Sequence, residues 1–195
     1  MSVLSLCRSW LDLLERRTLA RWLLLGVLYL LMTALGRQSV GLPGVRCEDP
    51  GAFLSRRYQT PILAFELVST SACAEKFHAA WSPLEPQGRN QVLLDFPYIL
   101  AYSSLLWLCC RGASRGLGRA GHARLARFGE LLARGQLLAG GCDVVENLGL
   151  LAILAGATAQ PVPLLTTAFS LAKWLLVLAG ILYSLGGAYE STQKS

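Results

Sequence analysis

Charge is what this chain has least of. Asp, Glu, Lys and Arg together make up 15% of its residues, where a soluble globular domain carries about a quarter. That scarcity excludes a disordered chain, an acidic tail and a coiled coil, all of which depend on abundant charge. It also leaves too few charges to coat an ordinary soluble globule. Histidine is rarer still, with only His78 and His122. The six cysteines stand at 7, 47, 73, 109, 110 and 142 and include no C-x-x-C. Neither histidine lies near a cysteine pair, so no zinc site is expected. Two signatures of lipid enzymes are missing too: no D-G-x-x-A-R with trailing aspartates and no histidine box. The sequence therefore assigns no catalytic residue, no metal and no cofactor.

What the chain does have is apolar length. Of its 195 residues 53% are hydrophobic, and the mean hydropathy is +0.45. A membrane-crossing helix needs about 20 predominantly apolar residues, and four segments approach or exceed that. They run over about 19–36, 91–110, 131–157 and 162–189. The expected fold is an all-α membrane protein: one domain over 1–195, a four-helix transmembrane bundle, and an extracytoplasmic loop containing an amphipathic helix. The first segment is short between Arg21 and Arg37, whose side chains would reach for the two interfaces. A signal peptide is the rival reading, but Thr33-Ala34-Leu35-Gly36 makes a poor cleavage site, so a retained anchor is favoured. Residues 3–17 interleave apolar and charged side chains, which suits an interfacial helix or, equally, the lower end of the first transmembrane helix. Between the last two segments, 156–163 collects Gly, Thr, Gln and two prolines; a tight turn there makes the pair a helical hairpin.

The net charge of +6 is read by position. Arg8, Arg16, Arg17 and Arg21 precede the first segment, and Arg111, Arg115, Arg119, Arg124 and Arg127 crowd the stretch 111–130. Cytoplasmic loops carry this excess. The N-terminus, a basic inner loop 111–130 and the C-terminus are thus expected inside, and the loop 37–90 outside. No aromatic interleaving or nucleic-acid motif accompanies the arginines, so the expected partner is the lipid bilayer and not nucleic acid.

The outer loop is too long to be structureless. Ile62, Phe65, Val68, Ala72 and Phe77 to Trp81 are spaced for an amphipathic helix over about 61–81, started at Pro61 and stopped by Pro83. That helix is also the candidate docking surface for a protein partner. Glu66, among its apolar residues, is expected to face water or to cap a backbone group, with a functional role as the other reading. Cys47 and Cys73 are candidates for a disulfide in an oxidising compartment; two free thiols are the other reading.

Ionisable residues inside apolar segments are the informative ones, because a bilayer makes them costly and they gather at functional sites or helix contacts. Asp143, Glu146 and Asn147 stand at i, i+3 and i+4 and share one helix face. Asp95, Tyr98 and Tyr102 share a face of the second segment, and Lys173 is the one charge in the fourth. Glu146 lies ten residues before Gly156 and Lys173 ten after Pro163, so both sit about 15 Å from the shared turn. A polar cluster of Asp95, Tyr98, Tyr102, Asp143, Glu146, Asn147 and Lys173 is expected. It would either bind or relay protons, cations or a polar headgroup, or tie the helices together by hydrogen bonds. Gly135, Gly140 and Gly141 would let a partner helix come close.

Asp95-Phe96-x-Tyr98-x-x-x-Tyr102 followed by Asp143-x-x-Glu146-Asn147 resembles a group of small bacterial integral membrane proteins, and Phe65-Glu66-Leu67 and Trp81 look similar as well. The resemblance covers residues 60 to 160. It implies a four-helix topology in the bacterial inner membrane and a polar site, and it implies no reaction.

Overall fold

The computed structural model describes residues 18–39, 42–45, 47 and 61–193; the stretch 3–17 and Cys7 lie outside them. The described residues are helical, with no strand among them. In chain order the helices are α1 (Thr18–Ser39), α2 (Pro61–Glu66), α3 (Ser71–Trp81), α4 (Glu85–Arg119), α5 (Ala123–Leu154) and α6 (Val162–Gln193). A 3-10 turn, Ser82–Leu84, joins α3 to α4. Three helical stretches are long and apolar enough to cross a membrane: Ser71–Arg119, Ala123–Leu154 and Val162–Gly187. Their outward sides are uncovered. On α6 alone Leu164, Leu165, Leu175, Leu178, Leu182 and Leu185 are exposed, far more apolar surface than a water-soluble monomer leaves open. The apolar run in α1, Leu23–Leu35, is shorter, and at 1.5 Å per residue it covers only about 20 Å of a hydrocarbon core about 30 Å thick.

Two expected boundaries are corrected. The single helix over 61–81 is two. Around 69–71 the sequence reads Ser-Thr-Ser, side chains that compete with the helix ladder for backbone groups. Thr70 leaves the helical conformation (φ −118°, ψ 151°), and its hydroxyl accepts from the Cys73 N–H at 3.2 Å, capping α3. The basic stretch 111–130 is not a loop but almost wholly helix. Only 120–122 break it, where Gly121 takes φ 87°. The N–H groups of Gly121 and His122 return to the carbonyls of Gly118 and Leu117, a Schellman ending that a left-handed glycine allows. Gly156, at φ 96°, ends α5 the same way.

The described residues pack as two units. The first takes α1 up to Leu30, residues 100–140 and α6 from Trp174. Trp107, Cys110, Leu132 and Ala133 form its core, with Tyr183 against it. Gln136 donates to the Leu176 carbonyl at 2.8 Å. Gly180 lies so close to that amide that a Cβ would not fit. Ser114 donates to the Ala126 carbonyl at 2.7 Å, and Tyr183 to that of Leu125 at 2.9 Å.

The second unit takes residues 31–99 and 141–173. Phe65, Phe77 and Trp81, all fully buried, stack at centroid separations of 4.7–5.7 Å. Around them three tethers hold the segments. A disulfide joins Cys47 to Cys73. Trp81 donates its indole N–H to the Pro43 carbonyl at 3.0 Å. The His78 ring meets the Leu154 carbonyl at 3.1 Å. Close helix approach occurs at Gly149, where a Cβ would collide with the Thr166 hydroxyl. It does not occur at Gly141, which faces open space, while Gly135 makes only ordinary contact with Leu176.

Candidate functional site

The second unit carries a polar interior. Asp143 and Glu146 lie one turn apart on α5, and Lys173 reaches them from α6. The Lys173 ammonium donates to Asp143 Oδ1 at 3.0 Å. It stands 2.7 Å from Glu146 Oε2 in an ion pair. Glu146 is completely buried, and its Oε1 accepts no hydrogen bond. A third carboxylate comes from α2: Glu66 Oε2 lies 3.6 Å from the same ammonium.

Next to this group, Asn147 Nδ2 donates to Asp95 Oδ2 at 2.8 Å. A carboxylate oxygen accepts only from an amide N–H, which fixes the orientation of the Asn147 amide and leaves its Oδ1 as an acceptor. Glu66, Asp95 and Asn147 together bound a small cavity, which Gln91 also lines, with apolar walls that include Ile62 and Leu150. Glu66 therefore belongs both to the Lys173 group and to the cavity. Thr166 and Ser170 continue the Lys173 face of α6 at i−7 and i−3, and both are buried. Thr166 returns its hydroxyl to the Val162 carbonyl at 2.9 Å, as Ser and Thr do inside apolar helices.

Of the seven cluster candidates, Asp143, Glu146 and Lys173 meet one another, and Asp95 meets Asn147. Tyr98 is half-buried one turn along from Asp95. Tyr102 is buried in the other packing unit. Glu66, expected to face water or to cap a backbone group, has its carboxylate 3.6 Å from the Lys173 ammonium. It is the residue that the sequence undervalued most, together with Gln91 and the Thr166–Ser170 face. Thr166 and Ser170 were detectable, since they fall at helical spacing from Lys173 within an apolar segment. Gln91 carried no signal, standing at the edge of an apolar run where polar side chains ordinarily meet water.

The donors are carboxylate and amide oxygens. No group of three or more His, Cys, Asp or Glu among the described residues is placed to hold a metal ion. No protein-family model, curated protein or solved structure matches the chain, so the likeness to small bacterial membrane proteins rests on the motif residues alone. What the arrangement does chemically follows from its charge. Three carboxyl groups, Glu66, Asp143 and Glu146, meet the Lys173 ammonium, and Asp95 lies on Asn147 beside them, in an interior of low dielectric where uncompensated charge is costly.

Proposed function

We propose that this chain is an integral membrane protein that spans the bilayer four times and uses its interior site to bind or relay a cation or proton. In this reading α1 is the first span and 37–90 is the extracytoplasmic segment. The stretch containing Arg111 to Arg134 faces the cytoplasm, as do both termini. Three long apolar helices with uncovered leucine sides support the membrane assignment. The disulfide between Cys47 and Cys73 supports an oxidising outer side for the segment that holds it. The observation that carries the function is Lys173 buried against Asp143, Glu146 and Glu66. A bilayer tolerates such a group where it works or where it locks helices, and its excess of carboxylate favours work on positive charge.

Docking of a partner on the outer helix has less support. The apolar side of α3 (Cys73, Ala74, Phe77 and Trp81) is already buried within the unit, and the side left over is small and polar. Lipid chemistry has less support too: the serine of Gly112-Ala113-Ser114-Arg115-Gly116, a G-x-S-x-G match, gives its hydroxyl to the Ala126 carbonyl at 2.7 Å.

The test is a comparison of cells and proteoliposomes holding the native protein, Asp143→Asn or Glu146→Gln. Ion or proton flux that disappears in both variants, while each still purifies as folded protein, is the expected result. Unchanged flux would leave the group a helix lock. A change in lipid composition in place of flux would point to the headgroup reading.

A further inference from the structure

The turn at 120–122 joins the last turns of α4 to the first of α5, and both carry arginine. From Arg111 to Arg134 six arginines meet a single acid, Glu130. That acid is already engaged, 3.7 Å from Arg111. Arg119, Arg124, Arg127 and Arg134 are exposed, and among the described residues no ion pair or hydrogen bond holds their side chains. The two helix ends belong to one packing unit. Ser114 holds the Ala126 carbonyl there, and a Cβ on Gly118 would touch that of Ala126. Arg119 on α4 and Arg127 on α5 thus each stand one residue from the same helix contact.

On α5 the pattern is not that of a face turned to water. Arg124, Arg127, Leu131, Arg134 and Leu138 follow one another at steps of three and four residues, so they share one stripe of the helix. Leu131 and Leu138 are 63% and 62% exposed. Leucines this open call for an apolar cover, and the arginines between them call for water or an anion. A bilayer boundary meets both needs: leucine sinks toward the acyl chains while guanidinium reaches out to the headgroups. Helix length agrees. Counted back from Leu154, the roughly 20 residues that cross a hydrocarbon core end at Arg134, and the turns from Ala123 onward lie beyond it at headgroup depth. Nucleic acid would neutralise the arginines and leave both leucines uncovered. A zwitterionic headgroup brings as much positive charge as negative. An anionic one holds the surplus negative charge that attracts each nearby Lys or Arg.

We propose that this arginine–leucine face binds anionic phospholipid, with phosphates against Arg119, Arg124, Arg127 and Arg134 and acyl chains against Leu131 and Leu138. The proposal rests on the reading of the chain as membrane-spanning, and it is independent of what the interior site carries. Lipid held by Arg119 on one side and by Arg127 on the other bridges the turn at 120–122, so bound lipid stabilises that end of the α4–α5 pair.

The test uses the full chain purified in detergent and melted in micelles doped with phosphatidylglycerol or with phosphatidylcholine. A ligand that binds only the folded state raises the melting temperature with its concentration. The expected result is a saturable rise with phosphatidylglycerol that shrinks as salt screens the charges, and little rise with phosphatidylcholine. Arg127→Gln combined with Arg134→Gln should melt like the native protein in phosphatidylcholine and bind phosphatidylglycerol about tenfold or more weakly. Lys at the same two positions should keep most of the affinity, because the charge is kept. Should the glutamine pair fail to fold, Arg119→Gln with Arg124→Gln serves in its place, and the native titration stands without either. Equal rises with both lipids overturn the proposal, as does a phosphatidylglycerol rise undiminished by both pairs. So does inorganic phosphate that reproduces the rise by itself, or a single-stranded oligonucleotide that binds more tightly than the lipid. Failure here alongside ion flux that still depends on Asp143 removes the lipid face and leaves the interior reading standing. A chain that does not insert into liposomes removes the reading on which both rest.

Discussion

Lys173 shows how far one residue governs its surroundings. Its ammonium stands 2.7–3.6 Å from Asp143, Glu146 and Glu66, and all three carboxyl groups are largely withdrawn from solvent. Removing one partner of a buried ion pair costs about 3–5 kcal/mol, because the other charge stays behind unpaired. Lys173→Met should therefore lower the melting temperature in detergent by roughly 10 °C. Glu146→Gln added to it should recover part of that loss, and the non-additivity of the pair, read from a double-mutant cycle, measures the coupling. Additive effects would mean that the 2.7 Å contact contributes nothing. Part of this site was legible beforehand. The spacing of Asp143, Glu146 and Asn147 fixes a shared helix face through the 3.6-residue period alone, and counting back from Gly156 and forward from Pro163 puts Glu146 level with Lys173. Glu66 was not legible, because a residue's tertiary partner leaves no mark on its neighbours in sequence. An isolated carboxylate between Phe65 and Leu67 reads as solvent-facing until the fold turns it inward.

At the scale of elements, the sequence pattern was informative about helix existence and poor about helix ends. Apolar periodicity continues across 69–70, so it reads α2 and α3 as one helix; the break is made by the Thr70 cap, a local hydrogen bond that periodicity does not register. The same holds in reverse at 111–119, where frequent arginine and glycine look like a loop. There the helix persists because Arg, Leu and Ala are good formers, and it stops only where Gly121 takes a positive φ. The capped α3 is also where the disulfide anchors. Cys73 begins the buried side of α3 and is bonded to Cys47, 26 residues earlier. A crosslink over such a loop stabilises by roughly 3 kcal/mol in the chain-entropy model. Cys73→Ser should thus melt lower by roughly 6–12 °C, with the freed Cys47 thiol open to alkylation. A reducing agent should produce the same fall in the native protein and none in the variant, which separates loss of the bond from loss of packing at position 73.

For the whole molecule the decisive quantity is where the charges stand along the chain. Eleven of the 18 basic residues precede the first apolar segment, lie in 111–134 or follow the last, and six lie in 37–90 among five acids. Lys173 alone is left over, ten residues after Pro163 within α6. A rule that places Lys and Arg on the cytoplasmic side is the basis of the proposed orientation. Between the turn at 120–122 and the one at 155–161 runs α5, 32 residues long, about 48 Å at 1.5 Å per residue. That exceeds a hydrocarbon core about 30 Å thick, so the two turns should emerge on opposite faces of the membrane. Arg119 and Ala159, both exposed, mark them. In a background where Cys7, Cys109, Cys110 and Cys142 are replaced by serine and the disulfide is kept, Ala159→Cys should react with a membrane-impermeant maleimide on intact cells. Arg119→Cys should react only after the membrane is opened. The inverse pattern would turn the molecule over and put the disulfide on the reducing side. Labelling of both from outside would remove α5 as a span, and with it the argument that Asp143 and Glu146 lie within a bilayer.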